Sequence, residues 1–318
     1  MKILITGASG LLGVNLALQL SQHHEVVGVV NQHALPGASF KVVSSDLMQP
    51  GEVDRLLADE HPAWVINCAA LANLEACEKA PGLARALNSE LPGVVANAAK
   101  RIGARLTHIS TDCVFDGVAG GYAEESPTNP LSLYAVTKLE GEKRALQENP
   151  GALVARVNFY GFSLNGRRSL AEWFLNNLQA GNHINGFMDV EFSPLLVNDL
   201  AEVLIEMQQK QLSGIYHVVS RDSISKYAFG VELARAFGLD ETLIRPISWK
   251  DAGLSAARSP HLTLSTEKLA RDLGHAMTAV RSGLQRFHSL HQEGYARRVQ
   301  SLGEAPATIP PKSDDTKE

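Results

Sequence analysis

Short apolar runs of strand length alternate with helical spacings of apolar residues through the first half of the chain. Ile3–Ile5 reads as a first strand, and Leu12, Leu16 and Leu20 with their neighbours place a helix over Gly10–Gln22. Val26–Val30 is a second strand, Val42–Val43 a short third, Val53–Asp59 a helix and Trp64–Asn67 a fourth strand. An alanine-rich stretch from about Leu83 to Arg101 predicts one long helix. A strand over Arg105–Ser110, a helix over Tyr134–Gln147 and a strand over Leu153–Val157 follow. Strands buried on both faces and separated by helices require crossover connections, so the expected fold class is α/β with a parallel, doubly wound sheet.

After Gly161 the rhythm changes. Leu170–Gln179 and Asp199–Gln209 look helical and Ile215–Val219 looks like a strand. Ser225–Phe237 reads as a helix with Ser225 as N-cap and Gly238 as C-cap. Leu262–Leu264 is extended, with helices near Thr266–Asp272 and Thr278–His291. The expected organisation is a dinucleotide-binding domain over 1–160 and, over 161–300, mainly a smaller substrate lobe with segments returning to the main sheet. A disordered tail is expected over 301–318, where Pro, Ser, Lys and Asp replace apolar residues.

Composition narrows the classes. The 318 residues are 45% hydrophobic and 20% charged, as in a soluble globular protein large enough to need no disulfide staples. Net charge is −5 with no basic block, which argues against a nucleic-acid partner. Cys68, Cys77 and Cys113 are odd in number and form no CxxC pair, and the 11 histidines show no HExxH, so no metal site is expected. No apolar run reaches the ~18 residues of a membrane span, and the three apolar residues after Met1-Lys2 are too few for a signal peptide. The cytoplasm is the expected location.

The first strand runs into Thr6-Gly7-Ala8-Ser9-Gly10-Leu11-Leu12-Gly13, a glycine-rich turn that opens a helix. In such a turn Gly7 supplies backbone angles barred to other residues, Gly10 lets a phosphate approach the main chain and Gly13 permits close helix–strand packing. The helix start offers unpaired N–H groups to a diphosphate, although a tight βα turn without a ligand has the same sequence. There is no GxxxxGK[ST] and no GxSxG, which removes the P-loop and the nucleophile elbow. At the end of strand two, where a carboxylate would exclude a 2′-phosphate, stands Asn31; NADP(H) is therefore preferred and NAD(H) admitted. Asp46-Leu47 after strand three either contacts the adenine or caps a turn.

Tyr134 and Lys138 stand four residues apart on one helix, so the ammonium faces the phenol and would lower its pKa. Ser110-Thr111-Asp112 closes strand five at its carboxyl end, where such sheets bind ligands, and Thr111 can hold a substrate oxygen beside the tyrosine. A Tyr–Lys pair on a solvated helix face is the bland alternative. Joined to the glycine turn, the three residues favour proton and hydride chemistry at a carbon bearing oxygen.

From Met1 to about Phe287 the chain resembles the extended short-chain dehydrogenase/reductases, specifically the dTDP-4-dehydrorhamnose reductase group. The resemblance is carried by the glycine turn, Asn67-Cys68-Ala69-Ala70, Ser110-Thr111-Asp112-Cys113-Val114-Phe115-Asp116-Gly117, Tyr134–Lys138 with Gly141-Glu142, and Arg258-Ser259-Pro260 before Leu262–Leu269. It implies a Rossmann-type domain with a smaller substrate lobe and a catalytic Thr111, Tyr134 and Lys138. Cofactor contacts are implied at Gly7, Ser9, Gly10, Leu11, Leu12, Gly13, Asn31, Asp46, Leu47, Cys68, Ala69, Ala70, Tyr134 and Lys138, with Asn88 supporting the lysine. Substrate contacts are implied at Leu71, Asp112, Cys113, Asn158, Phe159 and Arg258, although a surface role suits Arg258 equally. The chain departs from the group where Cys113 replaces a tyrosine, Leu71-Ala72 a more polar or aromatic pair, and Arg156–Gly161 a tryptophan-bearing segment.

The resemblance implies an NADPH-dependent reductase of a nucleotide-linked 4-keto-6-deoxy sugar. Alternatives on the same fold are an epimerase or dehydratase, and a non-catalytic NADP-binding subunit resembling the regulatory subunit of methionine adenosyltransferase. A nucleotide sugar is the expected small-molecule partner, and a homodimer is compatible with the helical faces.

Overall fold

The computed structural model describes residues 1–252 and 259–304. Strands β1 (Lys2–Thr6), β2 (Glu25–Val30), β3 (Lys41–Ser44), β4 (Trp64–Asn67), β5 (Arg105–Thr111) and β6 (Leu153–Val157) make six of the seven strands of the main sheet. Between them lie α1 (Leu11–Leu20), α2 (Glu52–Glu60), α3 (Leu74–Lys79), α4 (Pro81–Arg85), α5 (Leu91–Arg101) and α6 (Leu133–Glu148). The seventh strand comes from the second half of the chain. After β7 (Phe159–Tyr160), α7 (Leu170–Gln179), β8 (Ile184–Phe187), β9 (Glu191–Phe192), β10 (Leu195–Leu196) and α8 (Val197–Gln209), β11 (Gly214–Val218) pairs with β6. The order is β11-β6-β5-β4-β1-β2-β3 and every pair is parallel. This is the doubly wound arrangement the apolar rhythm predicts, with its switch point between β1 and β4.

Strand alternation sorts the core into two faces. Ile3 and Ile5 join Leu12, Leu16, Leu20, Leu200 and Leu204 under α1 and α8. Leu4 points the other way, to Val53, Leu56, Val95 and Ala145 under α2, α5 and α6. A third cluster builds the smaller lobe, where Phe162 stacks on Phe287 at 4.1 Å between ring centroids and Tyr160 meets Phe229 edge-on at 5.1 Å. Such aromatic pairs add about 0.5–1.5 kcal/mol each beyond their burial.

The long helix expected over Leu83–Arg101 is interrupted. Residues Ala86–Glu90 form a π-helical turn between α4 and α5. Pro92 has no amide to give to the carbonyl of Asn88 four residues back, and its ring crowds that carbonyl. The displaced backbone is where α6 comes closest: a Cβ on Gly141 would stand 2.1 Å from the Asn88 carbonyl oxygen. Two further helices were not expected, α3 and the helix Tyr295–Ser301. The latter carries ordered chain into the segment read as tail: Leu302 is buried, and its carbonyl accepts from Gly37 N at 3.1 Å. Residues 305–318, and Arg258, lie outside the described residues.

Candidate active site

The site lies at the carboxyl ends of β1, β4, β5 and β6. Thr6 leads into Gly7, whose φ of +64° only glycine adopts without strain. Gly10 N donates to Gly7 O at 2.9 Å, and the first i→i−4 bond of α1 runs from Val14 N to Gly10 O, so the amides of Leu11, Leu12 and Gly13 precede the helical ladder. A Cβ on Gly13 would stand 2.3 Å from Gly7 O, and one on Gly7 2.9 Å from Ala69 N. The turn is thus packed as tightly as backbone allows. Thr6 Oγ1 fastens it to β4, donating to Asn67 Oδ1 at 2.6 Å and accepting from Ala69 N at 3.2 Å.

A cleft of about 550 Å³ opens in front of this turn. Gly7, Gly10, Leu11, Leu12, Gly13, Cys68, Ala70, Leu71, Tyr134, Lys138 and Phe159 line it, so the glycine turn and the Tyr–Lys pair face one space. Ser9 and Ala69 stand in the same segments without lining the cleft. Asn31, Asp46 and Leu47 do not line it either. Asp46 is occupied by its own turn, accepting from Met48 N at 3.1 Å and Gln49 Nε2 at 3.2 Å, and Leu47 packs against the core under α2 and α5. Asn88 is fully buried in the π-turn. Its amide grips the backbone of Leu71, from Leu71 N at 2.8 Å and to Leu71 O at 3.0 Å, and donates to Thr137 Oγ1 at 3.2 Å. It therefore fixes a cleft wall and the residue next to Lys138.

Sequence reasoning did not single out Asn73, Ile109 or Arg168, and gave Ser110 no role of its own, yet all four line the cleft. Ser110 was legible as the residue before Thr111 on a strand's carboxyl end. Arg168 follows β7 by eight residues, and only its loop's folding brings it there.

Lys138 is 3% exposed, and its Nζ donates to Ile109 O at 2.6 Å. Burial lowers its pKa from 10.5 to about 8, against the opposing charge of Glu142. Glu142, one turn further along α6, is itself held by Arg156 Nη2 at 2.8 Å and Nε at 3.0 Å, and by Ser110 Oγ at 2.5 Å. Burial is also the largest influence on Tyr134, raising its pKa well above 10; the neighbouring Cys113 adds to the rise and a hydrogen bond with Thr111 opposes it. The acidifying influence expected of Lys138 is not among those acting on Tyr134, and the ammonium donates to the Ile109 carbonyl instead.

Beside Tyr134, Thr111 Oγ1 donates to Asp112 Oδ1 at 3.0 Å and accepts from Cys113 N at 3.2 Å, which caps the short turn Asp112–Val114. Asn158 Nδ2 donates to Asp112 Oδ2 at 2.6 Å. Burial raises the Asp112 pKa against these hydrogen bonds. The cleft offers the backbone amides that precede the helical ladder at one end and a phenol and an ammonium, with Ser110 beside them, at the other; Thr111 hydrogen-bonds Tyr134 without lining the cleft, and Asp112, Cys113 and Asn158 do not line it either. It can hold an extended anion and deliver a proton at a fixed distance from it.

Comparison with known proteins gives this geometry a family. The model described as RmlD substrate binding domain matches residues 1–292. A probable low-salt glycan biosynthesis reductase of Haloferax volcanii is 31% identical over 280 residues, 86% of this chain and 93% of the relative. Methionine adenosyltransferase 2 subunit beta of Bos taurus is 33% identical over 268 residues, 81% of this chain and 78% of the relative. The crystal structure of dTDP-4-dehydrorhamnose reductase from Bacillus anthracis in complex with NADP superposes with a TM-score of 0.79 at 25% identity, covering 90% of this chain and 98% of that one. With the family model spanning all but the last residues, the chain belongs to the RmlD substrate binding domain family.

Proposed function

We propose that the chain is an NADPH-dependent reductase of a nucleotide-linked 4-keto-6-deoxy sugar, similar to dTDP-4-dehydrorhamnose reductase. The observation that carries this reading is the single cleft lined by both the glycine turn and the Tyr134–Lys138 pair. The dinucleotide fits the residues present. At Gly7, Gly10 and Gly13 a Cβ would crowd backbone atoms at 2.9, 3.1 and 2.3 Å, so the turn needs glycine at each, and the amides that precede the helical ladder of α1 suit a diphosphate. A bound nicotinamide supplies the hydride.

The chain's own residues supply the rest. Thr111 and Tyr134 hold the ketone oxygen by hydrogen bonds. The phenol, kept protonated by burial, gives its proton to that oxygen as negative charge develops. Lys138 holds the nicotinamide ribose and restores charge balance. Leu71 and Phe159, which line the cleft, flank the sugar's side, and Asp112, fixed by Asn158, accepts from Thr111 Oγ1 next to it. The Bacillus anthracis enzyme's NADP supports the cofactor preference, and the absence of a carboxylate at Asn31 is consistent with it.

The test is to mix the protein, NADPH and dTDP-4-keto-6-deoxyhexose and follow nicotinamide absorbance. Loss of absorbance with formation of the deoxysugar nucleotide is expected. Bound NADPH without turnover would refute this substrate and favour a second reading, a dinucleotide-binding regulatory subunit. The bovine relative motivates that alternative. It predicts that the protein alters a methionine adenosyltransferase catalytic subunit's kinetics, and that Tyr134→Phe leaves the effect intact.

A further inference from the structure

Among the residues lining the cleft, two carry charge, Lys138 and Arg168, and both are cationic. Lys138 is committed to the Ile109 carbonyl. Arg168 is exposed, and among the described residues it makes no ion pair. Its neighbour Arg167 points elsewhere, lining an outer groove with Trp173 and Asn176. The loop that carries both arginines is built with unusual firmness for a surface connection. Glu172, 3% exposed, accepts from Ser163 N at 2.7 Å, Ser163 Oγ at 2.7 Å, Arg168 N at 2.9 Å and Ser169 N at 3.1 Å. Ser163 Oγ further accepts from Arg167 N at 3.2 Å and Arg168 N at 3.3 Å.

The same loop is tied to the helix that begins the phosphate cradle. Asn15 Nδ2 donates to Phe162 O at 2.8 Å and to Leu11 O at 2.7 Å, and Tyr295 Oη donates to Asn15 Oδ1 at 3.1 Å. A buried carboxylate that gathers four donors spends its hydrogen bonds on the backbone at Arg168, leaving that side chain without an intramolecular counter-charge. Holding the backbone in advance removes ordering cost from ligand capture.

We infer that Arg168 binds a nucleotide diphosphate in the cleft, as the cationic partner of the backbone amides at the start of α1. This rests on the reductase reading for the existence of two such ligands, the dinucleotide and the sugar nucleotide, which share the diphosphate. A planar guanidinium takes two phosphate oxygens at once, a geometry that a lysine at this place would not reproduce.

The test measures dissociation constants of NADPH, NADH and dTDP for the full chain and for its Arg168→Ala, Arg168→Lys and Arg167→Ala variants. Arg168→Ala is expected to weaken binding about tenfold or more. Equal weakening of NADPH and NADH assigns the dinucleotide's diphosphate; weakening of dTDP assigns the sugar nucleotide's. Either outcome supports the inference when Arg168→Lys is intermediate, Arg167→Ala is unchanged and added salt narrows the gap. Unchanged affinity for all three ligands overturns it. So does weakening confined to NADPH, which would place the guanidinium on the 2′-phosphate. Equal melting temperatures of Arg168→Ala and the unaltered chain exclude misfolding as a cause, since the side chain has no internal ion pair to lose. A protein that binds these ligands through Arg168 but never oxidises NADPH refutes the reductase reading alone. One that binds none of them refutes both.

Discussion

Replacing Lys138 by methionine should stabilise the ligand-free protein, and should do so only below about pH 10. Lys138 carries its charge into a place where 3% of the residue reaches solvent. Its pKa falls from 10.5 to about 8, with burial as the leading cause and the attraction of Glu142 as partial compensation. A tenfold change in proton affinity is about 1.4 kcal/mol, so the native state bears about 3 kcal/mol for the ammonium wherever it is protonated in both states. The sign follows from proton counting. Below pH 8 the folded and unfolded chains both hold the proton and the cost is complete. Between pH 8 and 10.5 the unfolded chain holds more protons than the native one, so stability of the parent protein rises with pH and the cost disappears. Methionine has nearly the same length and no charge, but leaves Ile109 O without its donor, a loss of about 1 kcal/mol. The variant should therefore be about 2 kcal/mol more stable near pH 7, a rise of a few degrees in melting temperature, and the gain should reach zero near pH 10. Paired thermal or urea melts of the two proteins at pH 6.5, 8, 9 and 10 measure it, because other titrations cancel in the difference. A gain that does not change across this range, or a variant less stable at pH 7, would refute the claim that a buried ammonium is stored at this position.

Tyr134→Phe should keep dinucleotide affinity, read by fluorescence titration, while lowering kcat by about 100- to 10,000-fold, since the phenol is the proton donor and no part of the cradle. Gly13→Ala should abolish dinucleotide binding and cost several kcal/mol in a urea melt, because the new Cβ meets a backbone oxygen at 2.3 Å rather than a side chain that can move. Unaltered affinity in that variant would show that the turn relaxes.

The main sheet was legible because its signal is local. Valine-rich runs such as Glu25–Val30 and Leu153–Val157 have no competing period, and their buried positions follow one another on both faces. The helix over Leu83–Arg101 was misread because alanine content speaks for continuity, while the break depends on Pro92 and on how closely Gly141 approaches. Helix α3 has six residues and a single buried side chain, too few to show a period. The short strands of the lobe are fixed by partners far away, as β8 is by the strand Ile244–Ile247, so no local pattern announces them. At the site, the glycine turn and the Tyr–Lys spacing are written in consecutive residues. Asp46 was ambiguous because the same side chain suits a turn or a ligand, and the structure assigns its oxygens to the turn. Arg168 was invisible because its position is set by Glu172 and Ser163 through a loop, which leaves no motif of its own.

The two central pKa displacements describe the resting, ligand-free cleft. Burial raises Tyr134 and lowers Lys138, so in the ligand-free cleft the phenol holds its proton firmly while the amine is near its titration point. A protonated phenol is the state from which ketone reduction starts, although the raised pKa at the same time makes it a weaker acid. An epimerase or dehydratase must first take a hydride from the sugar, and for that step the tyrosine has to accept a proton from a hydroxyl. That step, like donation, requires the tyrosine pKa to come down, as a positive charge turned towards the phenol would bring about. A dehydratase also needs an acid to expel water, and the residue after Asp112 is Cys113, a thiol that burial pushes further from ionisation. The Asp112 carboxyl, held by Asn158, Thr111 and Cys113, is tied into its own cluster. The ligand-free cluster thus holds the proton that reduction uses, and the same residues serve oxidation and return once the tyrosine pKa falls.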